Sequence, residues 1–411
     1  MGPEATRALR QEVIANLAGL GRLEKLIADP TIEEVHIIGH DNVRITYTNG
    51  MLAAGDPVAD SDEELEEMVQ AVGRRLGGTE RSFSDATPTL EMQLPDGSRL
   101  AAVRSVSHRP SVVIRRHNTM RVTLKQLAGG DPHEVPPEDG PSEMIDQVLR
   151  NFLTASLNAG LNIMIAGLAG AGKTTILRAL GSQIPAHEPI AVLEESRELG
   201  FENDPAHPFV FSIEAREGHG ELRHDGRPAG EITLADMVPR TLRWGVRRII
   251  VGEVRSREIV PMLQAMAVSQ GSLCTIHARS AEAVQDRIVE LALSHGSAGM
   301  SPALARRMTG GALDLIVYVN VVPAYGTQPT ERYVSHVYEV DRADDDRIHM
   351  TEVFGPDYTR RGDGRAVLKH FPQRNLEKLQ RVGLSKQHFL VPYVTGPGTW
   401  RGGNPTPGQA A

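Results

Sequence analysis

Several things are in short supply in this chain of 411 residues, and each shortage closes off a class of protein. There is one cysteine, Cys274, so no internal disulfide can form and a reducing compartment is expected. No apolar run approaches the roughly 20 residues that cross a bilayer as a helix. Glu4, Arg7, Arg10 and Glu12 fall where a signal peptide would be apolar. The opening MGPEAT fits a myristoylation pattern formally, but Pro3 beside the acceptor glycine makes chance its expected source. A cytoplasmic protein is expected, meeting a membrane only through partners. Basic excess is lacking too. The 44 Lys and Arg face 52 Asp and Glu, a formal net charge of -8, which argues against a general nucleic-acid binder and leaves room only for a small basic groove. Lysine itself is scarce, arginine filling most cationic positions.

What is present is a soluble globular composition, 40 % hydrophobic, in a chain long enough for two domains. Residues 1–128 read as a small α+β domain. A helix is expected over about 5–28, strands in IEEVHIIG and DNVRITYTNGML with a turn at Asn49-Gly50, and a helix in SDEELEEMVQAVGRRLG capped by Ser61 or Asp62. A hairpin turns at Pro95-Asp96-Gly97, and SVVIRRH is a further strand. AGGDPHEVPPEDGPSE has no periodicity, so residues 129–142 read as a linker. From 143 to 395 strands and helices alternate, with strands at 161–166, 189–193, 248–252 and 272–276. That pattern specifies a parallel sheet flanked by helices. Residues 396–411 read as a disordered tail.

The stretch GLAGAGKTT follows the apolar run LNIMIA and fits G-x-x-x-x-G-K-[ST]. A loop without bulky side chains lets backbone N–H groups point at phosphate oxygens, and the following helix adds its positive end. Gly167, Gly170, Ala171, Gly172, Lys173, Thr174 and Thr175 are therefore the expected nucleotide-binding residues. In such a loop the lysine reaches the β- and γ-phosphates and the threonine hydroxyl, here Thr174, joins the magnesium shell. Catalysis also needs acids. IAVL runs into EESRELG, RIIVGEVR delivers Glu253, and SLCTI delivers His277, all at the strand ends where open parallel sheets hold ligands. Glu194 and Glu253 are read as functional. Glu195 and Glu198 read equally as site acids or solvated loop acids, and His277 as a site residue or a hydrogen-bonded core histidine.

LEESREL, RRIIVGEVR and GSLCTIHARS, in that order after the phosphate loop, resemble the acidic box, Walker B and histidine box of the type II and type IV secretion ATPase superfamily. The CpaF type, the assembly ATPase of Tad (Flp-like) pili, is the branch it most resembles, over roughly residues 30–392. LPDGSRL, VVIRRH, LDLIVYVN, VYEV and RNLEKLQRVGL add to the likeness. The resemblance implies a RecA-like P-loop core behind a smaller α+β domain, with ATP and Mg2+ as cofactors. It makes Glu194 the glutamate that polarises water and Glu253 the acid near magnesium, with Gly252 where other ATPases place aspartate. His277 becomes a sensor of nucleotide state, and Arg99, Arg115, Arg216 and Arg243 match phosphate-reaching or core arginines. Hydrolysis would then loosen the grip of Arg99 and Arg115 and let the domains swing about residues 129–142. It further implies a hexamer on the inner face of the cell membrane, driving a membrane platform that feeds pilin outward. Alternatives are a type IV secretion ATPase moving protein or DNA, a small-molecule phosphotransferase, for which no lid or acceptor pocket is visible, and a silent scaffold.

Three departures stand out. Ser269 and Gln270 occupy the place of the usual Gly-His pair, Glu195 replaces an Asp, and EGHGELRHDGRPAGE is longer than typical. Within that stretch His219 and His224 lack companions at metal-ligand spacing and read as loop residues.

Overall fold

The computed structural model describes residues 21–385 apart from 30, 49, 77–82, 95–96, 117–121, 130–143, 217, 219–220, 225, 296–298, 324–329 and 359–363. The expected helix before residue 21, the turn residues Asn49, Pro95 and Asp96, nearly all of the linker, His219 and the tail lie outside the described residues. The chain divides into two compact units.

The first takes residues 1–120 with 196–198 and 324–330. It holds α1 (Leu23–Ala28), β1 (Ile32–Ile38), β2 (Asn42–Tyr47), β3 (Leu52–Gly55), α2 (Asp62–Leu76), β4 (Thr89–Gln93), β5 (Arg99–Val103) and β6 (Ser111–Arg115). The strands form one sheet in the order β3-β2-β1-β6-β5-β4, with every neighbouring pair antiparallel. Period-2 alternation puts Val35, Ile37, Leu100, Val112 and Ile114 on one face, in a core shared with Leu65, Val69 and Val72 of α2. The opposite face carries polar residues. There Arg99 sits directly across from Arg115, and Arg115 across from Glu34. Asp62 heads α2 and accepts hydrogen bonds from the His40 backbone at 2.9 Å and from Arg109 Nε at 2.8 Å. Those bonds, Arg109's first, hold its carboxyl well below the usual carboxylate range.

The second unit contains α3 (Leu124–Leu127), α4 (Gln147–Asn158), β7 (Ile163–Gly167), α5 (Lys173–Gly181), β8 (Ile190–Glu194), β9 (Val210–Glu214), α6 (Leu234–Thr241), β10 (Arg248–Val254), α7 (Ile259–Val268), β11 (Leu273–His277), α8 (Ala283–His295), α9 (Pro302–Ala312), β12 (Leu315–Val322), β13 (Glu331–Ala343), β14 (Ile348–Pro356), β15 (Ala366–Leu368) and α10 (Leu376–Arg381). Its beginning corrects the boundary at 128: Leu124 and Leu127 are buried in this unit's core, so α3 belongs here. The sheet order is β15-β14-β13-β12-β7-β11-β10-β8-β9. From β12 to β9 the neighbours run parallel, and β13, β14 and β15 extend the sheet antiparallel. That extension was absent from the sequence reading.

Both faces of the parallel part are covered, which explains continuous apolar strands. Ile163, Ile165, Val192 and Ile250 point into one core with α4 and α5, while Met164, Ala166, Leu193 and Val251 point into another with α6 to α9. Cys274 lies within β11, fully buried, and burial pushes its thiol up to about 12.

The edge where the parallel strands begin is locked by buried polar groups. Arg248, 1 % exposed, starts β10 and donates from Nε to Glu188 at 2.7 Å and from Nη1 to the Leu157 carbonyl at 2.9 Å. Gly271 makes room for it: a Cβ there would stand 2.1 Å from Arg248 Nη1. Asn162 precedes β7, donates to the Met266 and Ala312 carbonyls at 2.8 Å each and accepts from the Ser272 N–H at 3.0 Å. A buried amide with these partners satisfied fixes the start of β7.

Candidate nucleotide site

At the other edge, β7 runs straight into the glycine loop. Gly167 is required by space, since a Cβ would lie 2.4 Å from the Val319 carbonyl oxygen of β12. Gly172 is required by conformation: it adopts φ +94° at the cap of α5, a left-handed geometry that costs a side-chain-bearing residue. Ala171 is buried. The helix therefore begins at Lys173 with Thr174 and Thr175 in its first turn, where backbone N–H groups lack intrahelical acceptors and the dipole favours anions. Ile176, Leu177 and Leu180 anchor α5 in the core and fix its direction.

Three strand ends meet this helix. Register pairs His277, last in β11, with Gly167, last in β7. Lys173, 7 % exposed, donates from Nζ to the Leu168 carbonyl at 3.0 Å and approaches His277 Nδ1 at 3.1 Å. On the far side of the ring His277 Nε2 lies 2.8 Å from Glu253 Oε1. An ammonium cannot accept, so Nδ1 is the acceptor and Nε2, the nitrogen near the carboxylate, carries the ring proton. Glu253 Oε2 also holds Arg255 Nη2 at 2.6 Å. Burial pushes the Glu253 carboxyl up, but the hydrogen bonds from His277 and Arg255 outweigh it and hold it at about 2. Cation, imidazole and anion thus form one chain from α5 to β10.

Glu194 ends β8, 3 % exposed, and accepts the Leu199 N–H at 2.9 Å. Gly252 is its neighbour on β10, where a Cβ would sit 3.1 Å from Glu194 Cγ. Glycine at 252 therefore leaves the space that the buried glutamate occupies. Arg178 of α5 interacts electrostatically with Glu194.

The remaining expected residues fall elsewhere. Glu195 is exposed, and Glu198 groups with the first unit, 3.3 Å from Arg99 Nη1. Arg99 also pairs with Glu91 at 2.8 Å, and Arg115 is exposed beside it across the strands. Arg216 bridges to Ile232 and donates from Nε to the Gly230 carbonyl at 2.8 Å, closing the base of the long 216–232 loop. Arg243 is exposed on the 3-10 turn Leu242–Trp244. His224 is exposed, and among the described residues no group of three or more His, Cys, Asp or Glu could hold a metal ion. The Thr174 hydroxyl and the Glu253 carboxylate are oxygen donors, the type that a hard cation bringing its own waters and phosphate ligands takes.

Sequence reasoning missed several supports. Arg332 of β13 donates from Nε to the Gly170 carbonyl at 2.8 Å, a contact across 162 positions that no local pattern marks. Thr275 donates from Oγ1 to the Gly252 carbonyl at 2.6 Å, tying β11 to β10 between Glu194 and Glu253. The Tyr318 hydroxyl donates to the Arg279 carbonyl at 2.8 Å and steadies the turn after His277. Arg255 was visible within the motif RRIIVGEVR, without a role.

A nine-stranded sheet whose inner strand feeds a glycine-bounded loop and a helix N-terminus defines a RecA-like P-loop α/β fold. The family described as type II/IV secretion system protein matches residues 17–327, and the chain belongs to that family. An uncharacterized protein of Methanocaldococcus jannaschii is 29 % identical over 276 residues, covering 66 % of this chain and 45 % of that protein. The chain thus spans under half of that relative's length. The type IV secretion system protein PtlH of Bordetella pertussis is 30 % identical over 254 residues, 58 % of this chain and 72 % of PtlH. Among solved structures, the Legionella pneumophila ATPase DotB superposes with a TM-score of 0.51 at 15 % identity, over 75 % of this chain and 77 % of DotB, a likeness of fold.

Proposed function

We propose that this chain is a magnesium-dependent ATPase motor of the CpaF type that powers Tad-type pilus assembly or secretion. The observation that carries the reading is the chain Lys173–His277–Glu253 at the N-terminus of α5. Lys173 and the first backbone N–H groups of α5 bind the phosphates, and Thr174 with Glu253, partly through water, holds magnesium. Magnesium held there would supply charge compensation for the transferring phosphoryl group. Glu194 orients the attacking water, its carboxylate steadied by the Leu199 N–H. His277 registers the state of the site, because any shift of Lys173 towards phosphate alters its bond to Nδ1 and hence the proton on Nε2. Arg99, Arg115, Arg216 and Arg243 are assigned to phosphates, in the same chain or a neighbouring copy. A homo-oligomer, as a hexamer, would work at the inner face of the cell membrane on platform proteins. The CpaF-like motifs support this; among the described residues no helix is long and apolar enough to cross a membrane.

Steady phosphate release from ATP with no added acceptor tests the activity. Turnover lost in Glu253→Ala, with nucleotide binding retained, is the expected result. Release that needs an added small-molecule acceptor would convict the motor reading and favour a phosphotransferase. The likeness to PtlH favours a second reading, a type IV secretion ATPase. Deleting the gene separates the two: loss of surface pili supports the first, loss of protein or DNA export with pili intact the second.

A further inference from the structure

At the edge of the second unit's sheet where parallel strands begin, a cavity of about 480 Å³ opens between the end of α4, the turn after α7, the start of β12 and α10. Its size lies within the roughly 300–1,000 Å³ of small-molecule sites. Charge sets it apart from the rest of an acidic chain: Arg374, Lys378 and Arg381 line it against one carboxylate, Asp314.

That carboxylate is already engaged. Asp314 is 6 % exposed, and its Oδ2 accepts the Asn162 N–H at 2.9 Å. Lys378 stands 3.5 Å from Asp314 Oδ1, too long for a strong hydrogen bond, with its side chain 52 % exposed. Arg381 pairs at 2.6 Å with Glu377 on the same helix, both largely exposed, an ion pair of the kind that exchanges readily for a better one. Arg374 spends Nη1 on the Val340 carbonyl at 2.6 Å, with those of Gly310 and Leu313 beyond 3 Å, so its planar head is fixed at the cavity wall. Lys378 and Arg381 are three positions apart on α10 and so share a face. The side-chain amides of Asn158 and Gln270 complete the lining with groups that both donate and accept.

We propose that this cavity binds a small, multiply charged anion carrying phosphate or carboxylate groups, one per chain, at a site separate from the nucleotide loop. The three cations supply the charge and the amides the orientation. The proposal does not depend on the reading of the loop, since the cavity lies at the opposite ends of the strands.

Calorimetric titration of the full chain with pyrophosphate and, separately, with citrate tests it, on the wild type, on Lys173→Ala and on Lys173→Ala carrying Lys378→Gln/Arg381→Gln. Saturable one-to-one binding is expected in Lys173→Ala, whose glycine loop has lost its phosphate-gripping cation, and is weakened at least about tenfold when Lys378→Gln/Arg381→Gln is added to that variant, as loss of charge-assisted hydrogen bonds demands; the wild type binds in addition whatever the loop takes. Lys378→Arg/Arg381→Lys in the same background should restore it. The side chains replaced in α10 are exposed, so a melting temperature unchanged from that of Lys173→Ala will certify the fold of the combined variant. A preference for pyrophosphate assigns a phosphate ligand, and a preference for citrate a carboxylate one. The proposal is overturned if neither anion saturates by about 10 mM, if the combined variant binds as Lys173→Ala does, or if Lys173→Ala alone abolishes binding.

Discussion

Strand β10 begins on a buried arginine and carries a partly buried glutamate next to its last residue, and the two are held in different ways. Arg248 at its start is sealed against Glu188 and backbone carbonyls, with glycine at 271 fitted around it. Glu253 near its end is also half-buried and paired, yet its partner His277 leads on to Lys173 at a helix N-terminus. Burial and pairing alone therefore do not mark chemistry. The mark is convergence: cation, imidazole and carboxylate from three elements meeting where a helix offers unfilled N–H groups.

Breaking the first end should cost the most. Arg248→Ala leaves Glu188 buried without its principal cation, which costs about 3–5 kcal/mol, read as a fall in the midpoint of urea unfolding. Replacing both partners by Arg248→Met with Glu188→Gln should cost clearly less, since no uncompensated charge remains. If the double change is as harmful as the single one, the pair holds the fold by packing rather than by charge balance.

At the second end, Lys173→Ala should lower ATP turnover about 10²–10³-fold, the effect of removing one preorganised cationic donor. Its unfolding midpoint should move far less than that of Arg248→Ala, and equal losses of stability would erase the contrast between the two ends. Arg332→Ala should raise KM for ATP about tenfold with kcat little changed, because one charge-assisted hydrogen bond to the Gly170 carbonyl positions the loop. A fall in kcat at constant KM would instead give Arg332 a part in the chemical step.

The smallest effect is a pH dependence. Glu253 is held at about 2 against an ordinary 4.5, so its folded value is depressed. The stability it contributes is complete above about 4.5 and is lost as pH falls towards about 2. Across that window its titration adds up to about 1.4 kcal/mol per pH unit to the slope of unfolding free energy. Glu253→Gln should remove that increment, and an unchanged acid limb would mean that the His277 and Arg255 bonds do not hold in solution.

The same contrast explains what the sequence revealed. The places of Glu194, Glu253, His277 and the glycine loop at strand ends were legible because local patterns encode them: an apolar strand, then a polar residue or glycine, then a turn. The parallel strands were legible for the same reason. The antiparallel extension β13–β15 was not, since long alternating strands such as Glu331–Ala343 carry no signal for the neighbour they choose. Arg248 was invisible as a core residue because its partners Glu188, Leu157 and Gly271 lie far along the chain, and an arginine beside Arg247 looks like surface. Leu124 and Leu127 were placed in the wrong unit because a four-residue helix cannot announce the core it joins.

Cys274 offers a practical dividend. A thiol sealed inside β11 with its thiolate suppressed will ignore maleimides and iodoacetamides under native conditions. The natural chain is thus ready for spectroscopic labelling: one cysteine introduced on the surface of each unit would take up dyes, and changes in energy transfer between them would follow any swing of the two units through a turnover cycle.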